Sequence, residues 1–95
     1  MSTVVGLLHL ELHVAQAMSL KDKRRILKSF KDRVKHRFNV SVAEVGGLES
    51  HRTGVLAIAA VSNEHAHAEG TLQRIVNMAA MHRDMVLIDQ QTEWL

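Results

Sequence analysis

The sequence predicts an α+β domain with the element order βαββαβ, in which two helices cover one face of a four-stranded antiparallel sheet. Three observations predict it: apolar side chains alternate from Val4 to Val14, two longer segments repeat apolar residues with a helical period, and Val55–Val61 is almost wholly apolar. The 95 residues contain no proline, linker or repeat, and 46% are hydrophobic. We therefore expect one globular domain that spans residues 1–95.

The first two elements are a half-buried strand and an amphipathic helix. Alternate positions of the strand are apolar: Leu8, Leu10, Leu12 and Val14. Ser19 with Asp22 three residues later resembles a capping box, so a helix is expected after Ser19 and as far as about Phe38. One stripe of this helix should face the core: Leu20, Leu27, Phe30, Val34 and Phe38. Lys23 interrupts that stripe, and we expect its ammonium group to reach solvent.

The rest of the chain predicts a hairpin, a second helix and a last strand. In order these are a strand at Val40–Val45, a polar loop at Gly46–Gly54, a strand at Val55–Val61, a helix from about Glu64 to Ala80 and a strand from Met85 to about Thr92. Ser62 and Asn63 are good caps for the second helix. The apolar face of that helix is Ala68, Leu72, Ile75, Val76 and Ala79.

Right-handed crossovers make this order a ferredoxin-like two-layer sandwich with the first and third strands in the centre. A different two-layer α+β sandwich with the same elements is the alternative. The face of the sheet away from the helices is then open and partly apolar: Val5, Leu7, His9, Glu11 and His13 from the first strand, and Val55, Ala57, Ala59 and Val61 from the third. Such a surface either marks a partner site or is an ordinary amphipathic sheet face.

Positive charge is concentrated in the first helix. Of the 12 Lys and Arg residues, nine lie between Lys21 and Arg37 with only two aspartates among them. That segment carries +7, and because the whole chain carries +2, the rest carries −5. Six of the cations fall in one sector of about 120° beside the core stripe, and we call them the basic stripe: Lys21, Arg24, Arg25, Lys28, Lys31 and Lys35.

The basic stripe is typical of a surface that contacts nucleic acid. Solvated helix faces usually mix charges of both signs, whereas cations along a helix roughly 28 Å long can contact several phosphates. A solvated face, or contact with an acidic protein or lipid surface, are the alternatives. The chain has one Trp, two Phe and no Tyr. Stacking of bases as in an RRM is therefore disfavoured, and contact with phosphates and RNA shape is favoured.

No pattern indicates a catalytic, metal or cofactor site. The absence of cysteine excludes disulfides and thiolate zinc sites. The seven histidines do not converge, since His9 and His13 lie about 13 Å apart along one strand. There is no glycine-rich phosphate loop and no GxSxG motif. No apolar run approaches a membrane span, and the N-terminal VVGLLHL lacks the features of a signal peptide, so we expect a cytoplasmic protein without a membrane partner.

The sequence resembles the YlxP-like family of small bacterial proteins, whose function is unknown. The resemblance covers the whole chain and is densest in SLKDKRRILKSFKDRVKHRFNVSVAEV, from Ser19 to Val45; it returns in VSN at Val61–Asn63, in the following AHAE, and in GLLHLELHV. The resemblance implies a ferredoxin-like fold and supplies no established catalytic residues to carry over. Because genes of the family often lie near those for translation initiation and ribosome maturation factors, it also implies a link to translation.

Charge and resemblance together predict a non-enzymatic accessory protein that binds structured RNA or the small ribosomal subunit through its first helix. The alternative is a homo-oligomeric or adaptor module that uses the open sheet face. A small nuclease is disfavoured because the acidic residues are scattered. The loop GGLESHRTG departs from relatives, which often carry an aromatic or bulky apolar residue there, so a partner contact by this loop is not expected to carry over.

Overall fold

Six regular elements in the order βαββαβ make up the computed structural model, which describes residues 1–95. They are β1 (Val4–His13), α1 (Leu20–Arg37), β2 (Ser41–Gly46), β3 (Thr53–Ser62), α2 (His65–Ala80) and β4 (Val86–Trp94). The strands form one antiparallel sheet of order β2-β3-β1-β4, with β1 and β3 central. The predicted ferredoxin-like sandwich is confirmed. No helix has both the length and the apolar character to cross a membrane.

The core lies between the sheet and the two helices, as the apolar patterns predict. The alternate residues of β1 from Leu8 to Val14 are fully buried, and Leu56 and Ile58 of β3 lie beside them. From α1 the core receives Leu27, Phe30 and Val34. All five predicted apolar residues of α2 are buried. Each large apolar side chain contributes roughly 1.5–3 kcal/mol by leaving water, so this layer holds the helices on the sheet.

The start of α1 confirms the predicted cap with one difference. Ser19 is the N-cap, and its Oγ accepts a hydrogen bond from the backbone N–H of Asp22 at 3.1 Å. Asp22 in turn accepts the N–H of Met18 at 3.0 Å, one residue earlier than in a capping box. The cap fixes the point where α1 begins, and so fixes which side of α1 each cation occupies.

The start of α2 lies within one residue of the predicted position, but its cap differs from the prediction. Its N-cap is Glu64, which makes no side-chain cap, rather than Ser62 or Asn63. The reason is that β3 continues as far as Ser62. The Ser62 hydroxyl instead accepts the N–H of Glu64 at 3.1 Å and closes the turn between strand and helix.

The last strand runs two residues further than the sequence predicts. Trp94 pairs with Gly6 of β1 and packs its indole over that glycine. A Cβ added at Gly6 would lie 2.7 Å from Cζ3 of Trp94 and 2.8 Å from Cδ1 of Leu72. The His65 ring covers the indole, with ring centroids 4.1 Å apart. Glycine at position 6 therefore makes room for the tryptophan that extends β4.

Candidate nucleic-acid interface

The basic stripe lies on one long flank of α1. Five of its six side chains are exposed and Lys31 is half-buried. Around the helix axis, the core-facing residues of α1 lie between the stripe on one side and Arg33 and Arg37 on the other. Arg33 and Arg37 both face α2. The stripe therefore occupies the flank turned away from α2. The 18 residues of α1 make the helix about 27 Å long, and the stripe from Lys21 to Lys35 covers about 21 Å of it.

Two carboxylates are interspersed with the stripe. Asp22 lies 3.8 Å from Arg25, and Asp32 accepts a hydrogen bond from Lys28 Nζ at 2.7 Å. The hydrogen bond from Lys28 is the main cause that holds the pKa of Asp32 below its ordinary value of 3.8; lost solvation opposes it, and nearby lysines add to it. Both ion pairs are exposed, so they contribute little to stability. Four cations of the stripe have no carboxylate partner: Lys21, Arg24, Lys31 and Lys35.

Lys23 does not reach solvent, contrary to the expectation from its sequence position. It is fully buried, and its Nζ donates to the carbonyl oxygens of Gly47 at 2.7 Å and Thr53 at 3.2 Å. Its third partner is Glu44, whose Oε2 lies 3.0 Å from Nζ. Oε2 is buried and accepts no well-aligned hydrogen bond. The ion pair with Lys23 is therefore the main interaction that offsets the lost hydration of this oxygen. The hairpin loop thus satisfies the ammonium group inside the fold, and Lys23 joins α1 to β2 and β3.

Gly47 makes this binding arrangement for Lys23 possible. Its φ of +68° lies in the left-handed region, and a Cβ there would meet the Thr53 carbonyl oxygen at 2.5 Å. Only glycine allows the turn to close this tightly without strain. The loop therefore presents two carbonyl oxygens to one buried cation.

Arg33 and Arg37 form a second basic surface with Arg74 of α2, which the sequence analysis did not identify. They line one groove between the C-terminal parts of the two helices. The sequence does show that Arg33 and Arg37 are four residues apart, and this spacing places both on the flank of α1 opposite the stripe. The contribution of Arg74 depends on how α2 packs beside α1, and no sequence period reveals that.

The open sheet face differs in charge from the helix layer. Register pairs place Glu11 beside Asp89 and Glu93 beside Leu7, so three carboxylates lie on this face. The part of this face formed by β2 and β3 includes small apolar side chains, such as Ala43 paired with Ala57. This agrees with the predicted dipolar charge distribution, and the acidic side is unfavourable for phosphate. Use of this face by a protein partner stays a prediction.

No three His, Asp or Glu side chains converge to a geometry that could hold a metal ion. His9, Glu11, Asp89 and Gln91 line a shallow hollow on the open face, but they do not form such a group. His9 and His13 lie four positions apart in β1, opposite Ala57 and Thr53.

Comparison with known proteins supports the resemblance seen in the sequence. Residues 5–92 match the family described as "Protein of unknown function (DUF503)". The chain belongs to this family. A relative from Bacillus subtilis (strain 168), "Uncharacterized protein YlxP", is 33% identical over 91 residues, which cover 96% of this chain and 99% of that protein. Membership of the family is therefore confirmed, and it brings no assigned activity.

One similar solved structure concerns the fold alone. "De novo designed protein Foldit4" has a TM-score of 0.58 and 14% sequence identity, with coverage of 99% of this chain and 97% of that chain. The similarity to a designed protein agrees with a regular βαββαβ sandwich. Any function must therefore be argued from the side chains that this chain places on the fold.

Proposed function

We propose that this protein is a non-enzymatic accessory protein that binds structured RNA or the small ribosomal subunit through the basic stripe of α1. The observation that carries the proposal is the stripe itself: six cations on one exposed flank, four of them without a carboxylate partner. A stable helix needs no such set, because like charges three or four residues apart repel each other. Phosphates would relieve that repulsion and release counterions as they bind.

The chemistry of the stripe favours recognition of RNA shape over RNA sequence. Its side chains are ammonium and guanidinium groups on flexible stems, and both phenylalanines of the chain lie at least partly within the core. Such groups contact phosphates and 2′-hydroxyls along a helical RNA, and the stripe contains no aromatic ring on which a base could stack. The carboxylates on the open face would orient the protein, since they favour the approach of RNA from the helix layer.

Binding across a salt series tests the proposal. The purified protein is titrated into ribosomal RNA and into small subunits, and the slope of log K against log salt is measured. The R24Q/K35Q variant removes two exposed, unpaired cations of the stripe. Each lost phosphate contact should make the slope less steep by about 0.7–0.9, so the variant should lose about 1.4–1.8.

A matched control lowers the net charge equally at a distance from the stripe. The Q73E/Q90E variant changes the exposed Gln73 of α2 and the exposed Gln90 of β4, which line one hollow between these elements. Q73E/Q90E and R24Q/K35Q each reduce the net charge by two. We expect Q73E/Q90E to keep the slope of the wild type. The proposal is wrong if the wild type does not bind at moderate salt, or if both variants lose affinity equally while circular dichroism shows that they are folded.

A further inference from the structure

A groove lies between the C-terminal parts of α1 and α2. It has a volume of about 630 Å³, which lies within the range of small-molecule sites. We call it the inter-helix groove, and its main lining residues are Arg33, Arg37, Phe38, Arg74, Met78 and Met81. It continues past Arg37 and Arg74 into a smaller hollow of about 280 Å³ that reaches His67 and Thr71.

The charge of the inter-helix groove is one-sided. Arg33 and Arg37 come from α1 and Arg74 comes from α2, so guanidinium groups line it from both helices. No carboxylate lines the groove or its continuation, and none of the three arginines forms an ion pair. Asp84 lines an adjoining hollow that shares Arg33, Met81 and His82 with the groove, and it pairs with Arg83 at 4.0 Å. Converging guanidinium groups without acidic partners are suited to bidentate binding of phosphate.

Arg37, although exposed, contacts two of the apolar residues that line the groove. Nη1 of Arg37 lies 3.9 Å from Sδ of Met78, and its guanidinium carbon lies 5.8 Å from the centroid of the Phe38 ring. These contacts join the end of α1 to the wall formed by α2.

The remaining lining of the groove suits the other part of a nucleotide. Phe38, Met78 and Met81 provide an aromatic ring and two polarisable thioethers, which pack well against a flat base. Asn77 adds an amide that can donate and accept hydrogen bonds. His82 also lines the groove, and its Nδ1 accepts the N–H of Asp84 at 3.1 Å.

We infer that the inter-helix groove is a binding site for one nucleoside phosphate, with the phosphate held by Arg37 and Arg74 and the base against Phe38 and the methionines. This inference goes beyond the proposed function and does not depend on it, because the stripe lies on the opposite flank of α1. A free nucleotide and a single nucleotide of an RNA share this chemistry.

Titration of the full chain with adenosine monophosphate, followed by ITC and by the backbone amide signals in NMR, tests the inference. We expect saturable binding that shifts the amides of Asn77, Met78 and Met81. Adenosine alone and inorganic phosphate alone should each bind at least about tenfold more weakly, because each lacks one half of the contacts. The R37Q/R74Q variant should weaken binding of the nucleotide by at least about tenfold.

The control is the R24Q/K35Q variant, which removes the same number of charges from the stripe and should bind adenosine monophosphate like the wild type. Arg74 is exposed, so R74Q alone tests the site even if the double variant is unstable. Repeating the RNA salt series with R37Q/R74Q identifies the source of the nucleotide. If R37Q/R74Q binds RNA more weakly than the wild type, the groove binds a nucleotide of the RNA. If its RNA affinity is unchanged, the groove binds a free nucleotide.

Three results would overturn the inference. The first is the absence of saturable binding of adenosine monophosphate at the groove amides, whatever the RNA series gives. The second is equal binding by R74Q and the wild type. The third is inorganic phosphate binding as tightly as the nucleotide, which would leave the apolar wall without a role. None of these results bears on the stripe, so failure of this site is distinguishable from failure of the proposed function.

Discussion

The two long flanks of α1 carry the same kinds of cation and differ in what lies opposite them. The basic stripe faces away from the second helix, and its nearest carboxylates, Asp22 and Asp32, belong to α1 itself. On the other flank, Arg33 and Arg37 face Arg74 across the inter-helix groove, where no carboxylate is present. One flank is an open charged surface, and the other is one wall of a concave site.

The difference shows that charge density and site geometry are separate properties. Exposed cations on an open flank stay hydrated, so they bind many phosphates weakly, and salt screens them strongly. Arginines in a groove can meet a ligand from two sides, and one of them, Arg37, also contacts Met78 and Phe38. We therefore expect the stripe to supply affinity for long polyanions and the groove to select a ligand by its shape.

Lys23 provides the sharpest contrast with both flanks, and the largest expected effect. Because the cation is buried, K23A should destabilise the protein by about 3–5 kcal/mol by leaving the Glu44 carboxylate buried and unpaired. Urea unfolding followed by circular dichroism measures this loss. A domain of this size has a total stability of roughly 5–10 kcal/mol, so the variant should be only marginally folded.

The control for K23A removes both charges. In K23M/E44L no charge stays buried, so we expect this double variant to recover more than half of the lost stability. A loss below about 1 kcal/mol in K23A would contradict the structural role of the ion pair. Lys23 would then belong with the exposed cations of α1, and the contrast between the core and the flanks would disappear.

The fold could be predicted almost completely from the sequence, because local patterns determine it. Alternation in β1, the cap at Ser19 and the apolar face of α2 each correspond to a repeat that the chain shows directly. The predicted start of α2 at about Glu64 lies within one residue of the observed one, but the predicted caps, Ser62 and Asn63, are not the N-cap. The observed N-cap is Glu64, since pairing with β1 carries β3 on to Ser62.

The candidate sites could be predicted only in part, because long-range contacts decide them. The basic stripe lies within one helix, so its six residues could be identified from helical spacing alone. The burial of Lys23 depends on carbonyl oxygens 24 and 30 residues away, at Gly47 and Thr53. The inter-helix groove depends on Arg74, which lies 37 positions after Arg37. Helical spacing carries no information about either contact.

Asp32 gives the smallest effect and the finest test of the two flanks. D32N removes the carboxylate that pairs with Lys28 and frees that lysine for phosphate. One additional contact should steepen the salt slope of RNA binding by about 0.7–0.9, which is roughly five- to eightfold in affinity at 0.1 M salt. Binding of adenosine monophosphate should not change, because Asp32 does not line the groove.

The D32N experiment has a matched control and a stability readout. D89N changes the net charge equally on the open sheet face and should leave RNA affinity unchanged. Because folding lowers the pKa of Asp32, its ion pair stabilises the wild type above its ordinary pKa of 3.8, and that contribution is lost as the pH falls further. D32N should lack this part of the pH dependence. If D32N and D89N raised RNA affinity equally, binding would follow net charge alone, and the stripe would not be a distinct surface.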